Sequence, residues 1–216
     1  MKSIDSEIFV GRLAEHYAEE ICHLHWDRSR PWTLLFAVIL SAQCTDKRVN
    51  QVTPELFKQF SDLESYVAKP IEELERVIYS TGFYKNKAKS LRGAAEKLLL
   101  NFESQLPDNM DDLTSLSGVG RKTANVILWN VFRKNVGFVV DTHIGRISQR
   151  VGLTRQKTPE KIEQDLMKKL PQDQWGNISH QLIQFGRDRC KAPKPKCEGC
   201  FFEDVCPKRG VRGGRK

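Results

Sequence analysis

The chain has 216 residues, 39% hydrophobic and 29% charged, and its 35 lysines and arginines against 27 aspartates and glutamates leave it at +8. That balance excludes a disordered chain and leaves room for one large or two small domains with real cores. A basic surface favours a polyanionic partner, although charge alone does not name one. In chain order, the first twenty residues carry acids early and lack an apolar stretch, which argues against a signal or transit peptide. Ile8 to Leu24 repeats apolar residues at helical spacing and is expected as one helix. The longest apolar run, Trp32 to Leu40, is about half the roughly 20 residues of a membrane span. It is expected as a buried helix that starts at Pro31 and runs to about Ala42. An intracellular chain is the expectation, in which structural disulfides are disfavoured.

Asp46 can cap a third helix, with Pro54 as a break or new start inside it. Ser61-Asp62 and Pro70 punctuate two more short helices, Gly82 ends one of them, and Lys87 to Phe102 forms another. Pro107 marks a turn. Thr158-Pro159-Glu160 places a cap, a proline at N1 and an acid at N2 at a helix start, and Trp175 to Phe185 is a last long helix. "VGFVV", residues 136–140, is the one strand-like run and has no partner, so it is expected to be merely extended. The class is all-α.

"LSGVGRKTANVIL", residues 116–128, raises the first chemical question. Gly118-Val119-Gly120 separates two helical patterns, Asp111 to Leu116 and Arg121 to Phe132. The two glycines permit a tight turn with positive φ and bare the N–H groups of a helix start, which binds phosphate. A plain helix-turn-helix with a solvated Arg121-Lys122 pair fits the same spacing. Lys122 stands where the positive helix end, and any partial burial, disfavour an ammonium. Both raise the fraction of neutral amine, the form that acts as a nucleophile. Asp141, in "VVDTH", is by default an N-cap, and can serve as a proton acceptor where the fold brings an amine to it. His143 has no visible partner and reads as structural.

The tail from Gly186 onward holds ten basic and four acidic residues, so it carries +6 of the net charge. It also holds Cys190, Cys197, Cys200 and Cys206, spaced C-x6-C-x2-C-x5-C. Four such cysteines argue for a metal centre. Zinc usually takes two C-x2-C knuckles and only one is present; a cubane iron-sulfur cluster also takes four thiolates. The spacing leaves both open. Lys191, Lys194, Lys196, Lys208 and Arg209 surround the cysteines, to balance an anionic centre or to face phosphate. Cys22 and Cys44 lie in apolar stretches and read as core residues.

The ordered set "LSGVGRKTANVIL", "VVDTH" and the cysteine tail resembles the endonuclease III family, helix-hairpin-helix DNA glycosylases with a 4Fe–4S cluster; "LLFAVILSAQCTDKRVN" is similar to that family's N-terminal region. The resemblance covers roughly residues 20 to 206 and implies two all-α domains with DNA in the cleft between them. One is a six-helix barrel, residues 24–134, carrying the hairpin; the other joins residues 1–23 to 135–216 and carries the cluster. It implies a bifunctional DNA N-glycosylase and AP lyase of base excision repair, acting on oxidised or ring-saturated pyrimidines in double-stranded DNA and on abasic sites. Lys122 falls on the family's nucleophile and Asp141 on its catalytic carboxylate. Gln43 falls on the residue that fills the gap left by the extruded base, and Phe83 stands where an aliphatic wedge is common. Gly118, Val119, Gly120 and Arg121 fall on the phosphate-binding hairpin, with Ser117 where proline is usual. The four tail cysteines fall on the ligands of the 4Fe–4S cofactor. A cytoplasmic, nucleoid-associated monomer with no membrane partner is expected. Three rivals fit parts of the pattern. A monofunctional glycosylase would lack the hairpin lysine, a non-enzymatic sensor would have no need of both Lys122 and Asp141, and a zinc-ribbon factor would not be brown.

Overall fold

In a computed structural model of the chain, residues 3–17 and 22–211 are described. Among these residues there are eleven α-helices and no strand. In chain order they are α1 (Ser6–His16), α2 (Trp32–Ser41), α3 (Asp46–Gln59), α4 (Leu63–Ala68), α5 (Ile71–Ile78), α6 (Tyr84–Asn101), α7 (Met110–Thr114), α8 (Arg121–Phe132), α9 (Thr142–Arg150), α10 (Pro159–Lys169) and α11 (Trp175–Asp188). Two compact units divide them: Cys22–Lys134, and Met1–Ile21 together with Asn135–Lys216. No helix among the described residues is long and apolar enough to cross a membrane.

The 22–134 unit holds α2 to α8. Helix α2 is apolar on every side because it is enclosed: Leu34, Leu35, Phe36, Ala37 and Leu40 are all fully buried. Helix α6 packs against α2, α4 and α5 and lends the core Ala88, Leu91, Ala94, Ala95 and Leu98. Each buried leucine or phenylalanine here contributes roughly 1.5–3 kcal/mol relative to exposure. Pro54 neither breaks nor restarts α3, contrary to the expectation. Val49, Val52, Thr53 and Leu56 form one buried stripe that passes straight through the proline, so packing of that face outweighs the lost hydrogen bond. Thr45, not Asp46, caps this helix. Cys22 and Cys44, expected inside, are half-buried and pack against the core's edge.

The second unit holds α1 and α9 to α11 around Phe9, Leu13, Phe138, Ile144, Ile147, Leu166, Ile178, Leu182 and Phe202. Helix α1 is shorter than expected. Asp5 caps it, accepting from Glu7 and Ile8, and it ends at His16 with Tyr17 extended. Residues 18–21 of the expected Ile8–Leu24 helix lie outside the described residues, and 22–24 are not helical. The reason is physical: Phe9 and Leu13 serve this core, whereas Leu24 serves the core of the 22–134 unit. A helical spacing of apolar residues therefore runs across a boundary between two cores. Residues 136–140 form no strand, as expected, but they are not simply extended: the chain bends at Gly137 and the Val140 N–H donates to the Phe138 carbonyl at 3.0 Å. Thr158 precedes α10 without a side-chain capping bond, so Pro159 and Glu160 carry that start.

Candidate functional site

The stretch from 110 to 132 folds as α7, a turn and α8. Leu116 and Val119 are buried and pin the turn to the core, with the Val119 N–H donating to the Leu116 carbonyl. Only Gly118 takes positive φ, at 77°. Gly120 is extended (φ −96°), contrary to the expectation for the pair, and caps α8 with no side-chain hydrogen bond. Nothing stands within 4 Å of where a Gly120 Cβ would be. No side chain covers the backbone at Gly120, and a helix start of this kind is a setting in which an anion binds. Val119 can meet such a ligand only through its backbone, because its side chain is 7% exposed. At Gly118 a Cβ would come within 2.7 Å of the Ser90 Cβ. Gly118→Ala is therefore expected to destabilise the protein by about 1–3 kcal/mol, read as a lower midpoint in denaturant. An unchanged midpoint would mean the turn relaxes freely.

Arg121 and Lys122 are exposed at N1 and N2 of α8, while Ala124 and Asn125 turn inward. The partial burial expected for Lys122 is thus not provided by the folded chain itself. The helix start is.

Asp141 is the N-cap of α9, its Oδ1 accepting the Ile144 N–H at 2.8 Å. It is half-buried, and its second oxygen takes no part in the cap, so one carboxylate both starts a helix and keeps an acceptor in hand. His143 is structural as expected. Its ring lies against Gly186, where a Cβ would meet the His143 Nδ1 at 2.5 Å, and Arg146 reaches the same nitrogen at 3.1 Å.

Gln43 and Phe83 share an unusual backbone. Both are in the left-handed region, at φ 52° and 48°, which is uncommon for non-glycine residues and strained for a bulky one. Both are exposed, Phe83 at 63%. Gln43 lies just past the end of α2 and Phe83 stands at the N-cap of α6. Phe83 thus leaves most of its ring in water and does so on a backbone conformation that bulky residues rarely adopt.

Cys190, Cys197, Cys200 and Cys206 line one cavity, together with Arg150, Phe185 and Phe202. No disulfide joins them. Burial pushes the thiols of Cys200 and Cys206 up, so a cation is needed to hold them as thiolates. Two N–H groups already point at the sulfurs: Arg150 donates to the Cys190 Sγ at 3.4 Å, and the Lys208 backbone N–H to the Cys206 Sγ at 3.4 Å. Among the described residues no three Cys, His, Asp or Glu side chains stand close enough to hold one metal ion.

Sequence reasoning missed the side chains that frame this loop. Arg150, buried in α9, binds the carbonyls of Cys190 and Lys191. Arg146 binds the Cys190 carbonyl. Arg12 of α1 holds Asp204 through both oxygens, at 2.5 and 2.8 Å, and keeps its carboxyl down at about 2. No local motif announces them, since their partners lie 40 or more residues away. The tail cations also separate. Lys208 is engaged with Glu203 at 3.1 Å, whereas Lys191, Lys194 and Lys196 are exposed and available to phosphate.

Residues 36–172 match the family described as HhH-GPD superfamily base excision DNA repair protein. The chain is 46% identical over 195 residues to the endonuclease III of Synechocystis, covering 90% of this chain and 88% of that one. It is 40% identical to the endonuclease III of Bacillus subtilis over 91% of this chain and 88% of that one. Its fold superposes with a TM-score of 0.86 on an endonuclease III trapped as a covalent intermediate with DNA, at 38% identity and 92% coverage of both chains.

Proposed function

The chain belongs to the HhH-GPD superfamily of base excision DNA repair proteins, and from that premise we propose how its own residues carry the reaction. The protein is a bifunctional DNA N-glycosylase and AP lyase whose partner is DNA. The reading rests above all on one observation: an exposed lysine at the uncapped, glycine-bared start of α8. Phosphate on those N–H groups would bring the sugar within reach of that amine.

In this reading the substrates are oxidised or ring-saturated pyrimidines. Gln43 fills the space vacated by the extruded nucleotide and Phe83 wedges the stack. Both lower the few kcal/mol that base extrusion costs. The neutral Lys122 amine attacks C1′, the N-glycosidic bond breaks, and its electron pair leaves with the base, which takes up a proton. Asp141 accepts the proton that the amine loses and balances positive charge growing on the sugar. Opening of the C1′–O4′ bond gives a Schiff base between Lys122 and C1′. That imine acidifies C2′; loss of the C2′ proton expels the 3′ phosphate oxygen and cuts the strand. Water then hydrolyses the imine and returns the lysine.

The four tail cysteines would hold a 4Fe–4S cluster, which fits their spread around one cavity and the N–H groups already aimed at their sulfurs. When bound it would fix the loop that carries Lys191, Lys194 and Lys196 and supply no step of the chemistry. The protein would act at the nucleoid. Purified protein should be brown, with iron and acid-labile sulfide in equal amounts; a colourless, zinc-loaded protein would overturn the cluster assignment.

Borohydride reduces a Schiff base to a stable amine. Added during turnover on a duplex carrying thymine glycol, it should leave a protein–DNA adduct that survives a denaturing gel. Base release without any trapped adduct would instead mean a monofunctional enzyme using water.

A further inference from the structure

Lys87, in the first turn of α6, is 5% exposed. A buried ammonium is costly unless hydrogen bonds replace its water. Its Nζ donates to the Leu40 carbonyl at 2.8 Å and to the Thr81 carbonyl at 2.8 Å. Both acceptors close helical segments: Leu40 is in the last turn of α2, and Thr81 ends the short 3-10 turn Tyr79–Thr81. Carbonyls at such ends lack helical partners and carry partial negative charge, so one cation serves two of them at once.

The residues just beyond these two acceptors are the pair read above as entering DNA. Gln43 comes three residues after Leu40 and Phe83 two residues after Thr81, and these are two exposed side chains on left-handed backbone. Each loop follows directly on its helix end, and each is tied at its root to the same nitrogen. We propose that Lys87 is a positioning residue, whose side chain clamps the Gln43 and Phe83 loops to each other so that gap-filler and wedge enter the duplex at a fixed spacing. The proposal rests on the reading of Gln43 and Phe83 as the side chains that enter DNA. A merely structural lysine would hold the 22–134 core together and affect every activity alike. A clamp affects only the activity that needs the helix opened.

Lys87→Met keeps the length of the stem and removes all three donors. Two rates report on it: single-turnover excision of thymine glycol from a fully paired duplex, and β-elimination at an abasic site in single-stranded DNA, which needs no extrusion. The ratio of the first to the second should fall about tenfold. The fluorescence of 2-aminopurine placed opposite the lesion, which rises as that base loses its stacking, should lose most of its rise. Combined with Gln43→Ala, Lys87→Met should add little further loss, because both remove the same service. Equal falls on the two substrates, or full additivity with Gln43→Ala, would overturn the clamp. Should Lys87→Met fail to fold, Lys87→Gln, which retains an amide donor, is expected to show the same ratio change in smaller measure, and no change in ratio counts against the proposal. Gln43→Ala and Phe83→Ala distinguish the levels. If neither affects the 2-aminopurine signal, the reading of these residues fails and the clamp with it; if both do while Lys87→Met does not, only the clamp fails.

Discussion

Lys122→Ala is expected to abolish both the borohydride adduct and strand cleavage, with base excision falling by a thousandfold or more, which is roughly 4 kcal/mol of transition-state stabilisation. The physical basis is that no other group at the start of α8 can form an imine: Arg121 beside it carries a guanidinium, not a primary amine. Lys122 is exposed, so its removal should shift stability by no more than about 0.5 kcal/mol. Circular dichroism and a melting curve on the same preparation check this. Affinity for abasic DNA should remain, since the N–H groups of the hairpin are untouched and one cation of many is lost. An undiminished adduct in this variant would move the nucleophile elsewhere and take the assignment with it.

Asp141→Asn should lower the single-turnover rate by about a hundredfold or more, the usual worth of a positioned acid or base. This substitution separates the proposed catalytic role from the capping role of the same carboxylate. Asparagine caps a helix as well as aspartate does, so the bond to the Ile144 N–H survives and the melting temperature should hold. What disappears is the charge and the capacity to accept a proton. Asp141→Ala, by contrast, should also lose about 1 kcal/mol of stability with the cap. Stopped-quench kinetics and a melting curve on both variants give the two numbers independently. Wild-type rates in Asp141→Asn would reduce the residue to its structural part.

The helices are legible where the signal is local. Pro31 before α2, Asp62 before α4, Pro70 before α5, Pro159 at α10 and Asp141 at α9 all act on the nearest turn of chain, and each stands at the boundary it announces. Legibility fails where a distant partner decides. The stripe Val49, Val52, Thr53 and Leu56 carries α3 through Pro54 because the core it faces is assembled from other helices. Ile8 to Leu24 looks continuous because spacing does not say which core a residue serves. At the site, glycines, cysteines and the hairpin lysine are visible by their residue type and interval. Arg150 and Lys87 are not: a buried cation among carbonyls reads in sequence like any helix-surface arginine or lysine. The resemblance to endonuclease III supplies roles for Gln43 and Phe83 that composition could not, and the left-handed backbone at both is the physical trace of something the motif alone does not contain.

The unit that carries the cysteine loop is assembled from two separated stretches, residues 1–21 and 135–216. Arg12 grips Asp204 across 192 residues of sequence, which at ribosomal speed is a delay of about 10–40 s. Residues 22–134 can close their core while the rest is still being made. During that interval Phe9 and Leu13 leave the ribosome with no Phe202 or Leu182 yet to cover them. Helix α1 is therefore a late joiner despite its early synthesis, and the cysteine loop gains its full set of supports only once residue 204 has left the ribosome.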